Sequence, residues 1–139
     1  MQNSTERLLM DINDAKRVYI IGNGGSYANA QHICNDLLSA GIRAYTLDSA
    51  TLSAFANDDG WDEALARWLD VVGEPGDLLL ALSGSGKSRN ILNAVETAKS
   101  LGMNVYCFFG NERNENMQEA EESQLILGHE VAQCLLHQI

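Results

Sequence analysis

The chain has 139 residues, a length that supports one hydrophobic core and leaves no room for a two-domain enzyme, so residues 1–139 are expected to form a single domain. Hydrophobic residues make up 45% and charged residues 20%, which suits a globular protein and is too apolar for a disordered one. Nine Lys and Arg against 19 Asp and Glu leave a formal charge of -10, which repels phosphate backbones and anionic lipid; neither nucleic acid nor a membrane is an expected partner.

No apolar run reaches the ~20 residues of a membrane span, and the N-terminal MQNSTERLLMDINDAK lacks the basic-then-apolar order of a secretory signal. A cytoplasmic location is the expectation. Cys34, Cys107 and Cys134 are odd in number, lack metal-knuckle spacing and each sit in an apolar run, so buried free thiols are expected in place of a disulfide framework.

In chain order, Ser4 is a candidate N-cap before an apolar-periodic helix, and Val18 to Ile21 is the first of five short apolar runs. Ile42 to Leu47, Asp77 to Leu82, Asn104 to Phe109 and Gln124 to Leu127 are the others, with helix-like segments between them. Continuous apolar runs suit strands covered on both faces. Trp61 and Trp68, seven apart on one of these helices, read as a core stripe or an oligomer contact. Pro75 marks the turn into the third strand. Ser88 precedes Ile91, Leu92, Val95 and Ala98, and Gly102 stops that helix. The acidic stretch from Glu112 to Glu122 reads as a solvated segment between the last two strands. Strand, helix, strand repeated in this way predicts an α/β three-layer sandwich: a five-stranded parallel sheet, doubly wound in the flavodoxin-like manner, with helices on both faces.

Ligands of open α/β sheets bind beyond the carboxyl ends of strands. Two strand-to-helix loops of small residues stand there, Gly22-Asn-Gly-Gly-Ser26 and Ser83-Gly-Ser-Gly-Lys-Ser88. Glycines let the backbone approach a ligand, and a helix N-terminus offers free N–H groups and partial positive charge to an anion. In the second loop Ser83, Ser85 and Ser88 add hydroxyls, and Lys87 and Arg89 reverse the global charge locally. Tight turns with Ser88 as an ordinary N-cap would look the same in either loop alone. Two nucleotide motifs fail: a P-loop needs glycine where Ala81 stands, and the dinucleotide fingerprint needs its third glycine where Tyr27 stands. No nucleotide cofactor is expected.

Ile21-Gly-Asn-Gly-Gly-Ser26, Ala30-Gln-His32 in the next helix, Asn57-Asp58 with Gly60, and Gly76-Asp-Leu-Leu-Leu-Ala-Leu-Ser83-Gly-Ser-Gly-Lys-Ser88 resemble the sugar isomerase (SIS) domain, in its phosphoheptose isomerase branch. The resemblance implies a bound sugar phosphate, assembly as a homo-oligomer (dimer or tetramer), and phosphate contacts from Ser83, Ser85 and Ser88. Asn23, Ser26 and Asp58 resemble the branch's other substrate contacts.

His32 and Asp36, four apart, share one helix face, whereas His129 and His137, eight apart on the last helix, stand about 12 Å apart along its axis. If both of the latter serve a site, they do so in different subunits or in different roles. The branch carries a His and a Glu at the positions of His32 and Asp36, and a Gln and a His at those of His129 and His137. The resemblance associates these four with a zinc ion, and makes Asp36 the candidate general base and His137 the candidate acid. It implies an aldose–ketose isomerase acting on sedoheptulose 7-phosphate or a similar sugar phosphate through an enediol. The alternative from the same resemblance is a non-catalytic module that senses phosphosugar or binds a protein. Asp36 is one methylene shorter than the branch's Glu, and the branch's aspartate upstream of the last helix falls near the apolar Ile126.

Overall fold

Val18–Ile21 (β1) and Leu78–Leu82 (β3) are buried at every residue, and the pleat divides their side chains between two cores. Val18, Ile20, Leu78, Leu80 and Leu82 point to one face; Tyr19, Ile21, Leu79 and Ala81 point to the other. Each fully buried Leu or Ile contributes ~1.5–3 kcal/mol relative to exposure, so covering both faces dominates the stability of this sheet. These positions come from a computed structural model, which describes residues 4–108 and 117–137.

Ala44–Thr46 (β2) and Asn104–Phe108 (β4) complete a parallel four-stranded sheet in the order β2-β1-β3-β4. Val18 stands opposite Ala44 on one side and Leu78 on the other, and Leu78 opposite Asn104. The first face is covered by Ser4–Asp14 (α1), Gly25–Ser39 (α2) and Met117–His137 (α6), which supply Leu8, Ile12, Ile33, Leu37, Val131 and Leu135. The second is covered by Trp61–Val72 (α4) and Arg89–Ser100 (α5), through Leu65, Leu69, Ile91 and Val95. Ser49–Asp59 (α3) packs outside α4 and has no fully buried residue. The α/β class, the parallel sheet and the two helical layers match the sequence expectation.

The fifth strand does not. Gln124 to Leu127 lies inside α6, where Ala120, Gln124, Gly128, Val131, Ala132 and Leu135 are buried at helical spacing and Ile126 is 58% exposed. A short apolar run cannot by itself separate a strand from one face of a helix. The cysteines also depart from expectation: all three are free, but only Cys34 is buried, whereas Cys107 and Cys134 are exposed because they alternate away from the core on their strand and helix. Burial pushes the Cys34 thiol up, which disfavours its thiolate. Trp68 packs edge-on against Tyr19 with ring centroids 5.4 Å apart, while Trp61 is half exposed.

Pro75 sits in the expected turn, where Asp77 accepts the Glu74 N–H at 2.9 Å and Gly76 takes φ 90°. Gly102 follows α5 at φ 79°, a left-handed residue that ends the helix. No helix among the described residues is long and apolar enough to cross a membrane.

Candidate active site

The strand order reverses direction between β1 and β3, and the loops that follow these two strands therefore open side by side at the carboxyl edge. The first loop turns tightly. A side chain at Gly22 would meet Ser26 backbone carbon and oxygen at 2.5–2.6 Å, and Gly24 takes φ 54°. Asn23 is half-buried and accepts the Ser26 N–H on its carbonyl at 2.9 Å. The Ser26 hydroxyl is buried and lacks a hydrogen-bond partner. Tyr27, at the position where a dinucleotide fingerprint needs glycine, donates its hydroxyl to Leu47 O at 2.5 Å and ties the start of α2 to the end of β2.

In the second loop Ser83 Oγ accepts the Gly86 N–H at 3.0 Å and Ser85 Oγ accepts the Lys87 N–H at 3.1 Å. These bonds hold the loop in a curl that places Gly86 at φ 68°. Ser88 occupies the N-cap position of α5 but makes no side-chain cap hydrogen bond, so the ordinary-cap reading does not account for its hydroxyl. Lys87 and Arg89 are exposed beside it.

A carboxylate stands at the helix N-terminus that follows the first loop. A side chain at Gly25, the first residue of α2, would collide with the carboxyl carbon and both oxygens of Glu121 from α6. A carboxylate at a helix N-terminus is favoured by the dipole by about 0.3–1 kcal/mol, and it repels a second anion from that place. Glu121 falls in the acidic stretch that the sequence marks as solvated; residues 112–116 of that stretch lie outside the described residues, and no spacing signal sets Glu121 apart from its neighbours.

Farther along α2, the parallel course of α2 and α6 brings three donors together. Gly128 allows the approach, since a side chain there would meet Ile33 Cγ1 at 2.5 Å. His32 Nε2 and His129 Nε2 are 2.9 Å apart, and Asp36 Oδ2 lies 3.5 Å from the first and 3.8 Å from the second. Asp36 Oδ2 is buried with no hydrogen-bond partner. All the donor atoms lie within 4.8 Å of one another. Two imidazoles and a carboxylate form a donor set suited to a zinc ion that keeps an open position, and an orphaned buried carboxylate oxygen supplies a reason for a cation there.

Among the described residues, no hydrogen bond brings Asp58 to either cluster. Its carboxylate lies 3.5 Å from Arg67, which also pairs with Asp59 at 2.8 Å and stacks over Phe55 at 3.9 Å. His137 is the last residue of α6, and its side chain lies outside the described residues.

The SIS domain profile matches residues 1–110 of the chain. The chain belongs to the SIS domain family. This SIS domain is 33% identical over 161 aligned positions to the phosphoheptose isomerase of Burkholderia pseudomallei strain 1710b, an alignment that spans 100% of the chain and 82% of the relative. Among solved structures, a phosphoheptose isomerase from Francisella tularensis superposes with a TM-score of 0.87 at 26% identity, covering 97% of this SIS domain and 85% of that chain. The phosphoheptose isomerase of Neisseria gonorrhoeae gives 0.85 at 26%, covering 95% and 82%.

Proposed function

We propose that this SIS domain is a phosphosugar isomerase that interconverts sedoheptulose 7-phosphate, or a sugar phosphate of similar shape, with its aldose. The observation that carries the reading is the pairing of the curled, serine-rich Ser83–Ser88 loop with a carboxylate–imidazole cluster on the helix that leaves the neighbouring loop. The phosphoheptose isomerases it resembles favour turnover over a module that only binds.

Ser83, Ser85 and Ser88, with Lys87, hold the phosphate, and Asn23 and Ser26 meet the sugar. Asp58, held toward the end of α3 by Arg67, is the further candidate for a substrate contact. Binding energy from the phosphate, remote from the reacting carbons, is spent on orienting them. Asp36 is the base: its carboxylate takes the proton from C1 of the ketose and returns it to C2 of the enediol. An imidazole protonates the carbonyl oxygen and takes the proton from the adjacent hydroxyl. That role falls to His137, eight residues and about 12 Å beyond His129 along α6. His129 and His137 are therefore given different roles, and a second copy in a homo-oligomer supplies the acid.

His32, Asp36 and His129 would hold a divalent cation, with His137, where it does not serve as the acid, the candidate for a fourth ligand. A zinc ion there would polarise the sugar carbonyl and order its oxygens.

Incubation of the purified protein with sedoheptulose 7-phosphate, with and without added zinc, tests the reading by the appearance of aldose. Turnover that falls when Asp36 is replaced supports it. Binding of the sugar phosphate without any aldose formed would refute the isomerase and leave the non-catalytic module.

A further inference from the structure

The two ligand loops are fastened to each other by a pair of side-chain amides. Asn23 Nδ2 donates to Asn90 Oδ1 at 2.8 Å, and Asn90 Nδ2 donates to Asn23 Oδ1 at 2.8 Å, a closed ring between residues 67 positions apart. Asn90 is only 1% exposed. Its Oδ1 also accepts the Ile91 N–H at 2.9 Å, and this fixes which end of the amide is oxygen and which is nitrogen. Asn90 thus spends one amide hydrogen and its oxygen within the protein, and buried as it is, its other hydrogen cannot reach a ligand in the crevice. Asn23 is half-buried, and keeps one amide hydrogen and one oxygen lone pair for such a ligand.

Position gives the ring its meaning. Asn23 belongs to the loop after β1, and Asn90 stands two residues beyond Ser88 in the first turn of α5, so the ring spans the crevice where the strand order reverses. A phosphate held by one loop and a sugar held by the other are in a common frame only while the loops keep their spacing. Displacement by about 1 Å between a held group and a reacting group can cost on the order of 100-fold in rate.

We infer that Asn90 is a positioning residue: it touches no substrate, and acts through Asn23 to lock the sugar-binding loop to the phosphate-binding loop. The inference rests on the sugar-phosphate reading of the two loops given above.

The test is a double-mutant cycle of Asn90→Ala and Asn23→Ala, read on kcat and KM for sedoheptulose 7-phosphate and on the affinity for inorganic phosphate. Asn90→Ala should lower kcat/KM by about 10- to 100-fold, mostly in kcat, while phosphate affinity stays within about twofold. In the Asn23→Ala background the same change should cost less than about threefold. Losses that multiply, or a parallel loss of phosphate affinity, would assign Asn90 a merely structural role and overturn the inference.

Amide hydrogen exchange provides a readout that needs neither turnover nor a folded Asn90 variant. Asn23→Ala alone should raise exchange at Gly86 and Lys87 by about fivefold or more without ligand, because the phosphate loop loses its tether. Unchanged exchange there would show the loops to be uncoupled and overturn the inference. A parent protein that yields no aldose refutes the isomerase reading instead, and leaves the exchange result to decide on Asn90.

Discussion

His32 Nε2 and His129 Nε2 face each other at 2.9 Å across the α2–α6 contact, with Asp36 Oδ2 completing the triangle. Two nitrogen lone pairs and a carboxylate oxygen at such spacing repel unless a proton or a cation lies among them. Freshly purified protein should carry about one zinc per chain, and either His32→Ala or His129→Ala should weaken zinc binding by at least about 100-fold. Elemental analysis after gel filtration checks this. Zinc retained in full by His32→Ala would place the ion elsewhere.

Asp36→Asn keeps the shape of the side chain and removes its basicity. It should reduce kcat/KM by about 100- to 10,000-fold, with a melting temperature close to that of the parent. Steady-state kinetics with parallel thermal denaturation checks both halves. Turnover at the parental rate by the Asp36→Asn variant would exclude Asp36 as the base.

The strands that form the middle of the sheet were legible because burial on both faces writes a continuous apolar run, as in Val18 to Ile21 and Leu78 to Leu82. The same rule misread Gln124 to Leu127, where the burial that matters runs from Ala120 through Gln124 and Gly128 to Val131, a helical stripe broken in sequence by the exposed Ile126. The two glycine loops and the pairing of His32 with Asp36 were equally visible, since each is a local pattern. The joining of His129 to that pair was implied only by the family resemblance, and the seating of Glu121 against Gly25 and the Asn23–Asn90 ring were not visible at all. Each depends on which turns of two distant elements meet, and the chain encodes that only through close approaches such as Gly128 on Ile33.

The charges around the two loops predict opposite effects on phosphate. Lys87→Ala removes a cation beside Ser85 and Ser88, and should weaken inorganic phosphate binding by about 5- to 10-fold, with a shallower dependence on salt. Glu121→Gln removes the carboxylate from the N-terminus of α2 and should leave phosphate affinity unchanged or raise it by about two- to fivefold. Replacing Ser83 and Ser85 together with alanine should abolish binding. Isothermal titration of the three variants ranks the loops; a loss of affinity in Glu121→Gln would mean that phosphate is not directed to the second loop by this carboxylate.

Asp48, the N-cap of α3, accepts the Thr51 N–H at 3.0 Å, and that hydrogen bond holds its carboxyl below the ordinary value. A depressed folded pKa means that the unfolded chain takes up the proton first as pH falls. The stabilisation is therefore fully present above the unfolded value of ~3.9 and is lost as pH drops through the lower folded value. Asp48→Asn retains an acceptor for the cap and removes the titration. The variant should show a smaller fall in melting temperature on acidification below about pH 4 than the parent does, and an identical fall in both would remove Asp48 from the acid limb.

Gly128 tests whether helix contact or local sequence sets the metal geometry. A methyl at this position would meet Ile33 Cγ1 at 2.5 Å and Cδ1 at 2.9 Å, so α2 and α6 must part or Ile33 must leave its rotamer. Gly128→Ala should raise the intrinsic propensity of α6 by about 1 kcal/mol and yet lower overall stability by about 1–3 kcal/mol, because overpacking at a buried crossing outweighs helix propensity. His129 is the next residue, so the same separation should pull its ring from His32 and weaken zinc binding. Adding Ile33→Ala removes both colliding carbons. The double variant should recover zinc affinity toward that of the parent while remaining less stable, since the truncated isoleucine leaves a cavity that costs about 2–5 kcal/mol and the new methyl fills only part of it. Recovery of zinc binding without recovery of stability would separate the geometric effect from the energetic one; zinc affinity unaffected by Gly128→Ala would show that the His32–His129 approach does not depend on how closely the two helices pack.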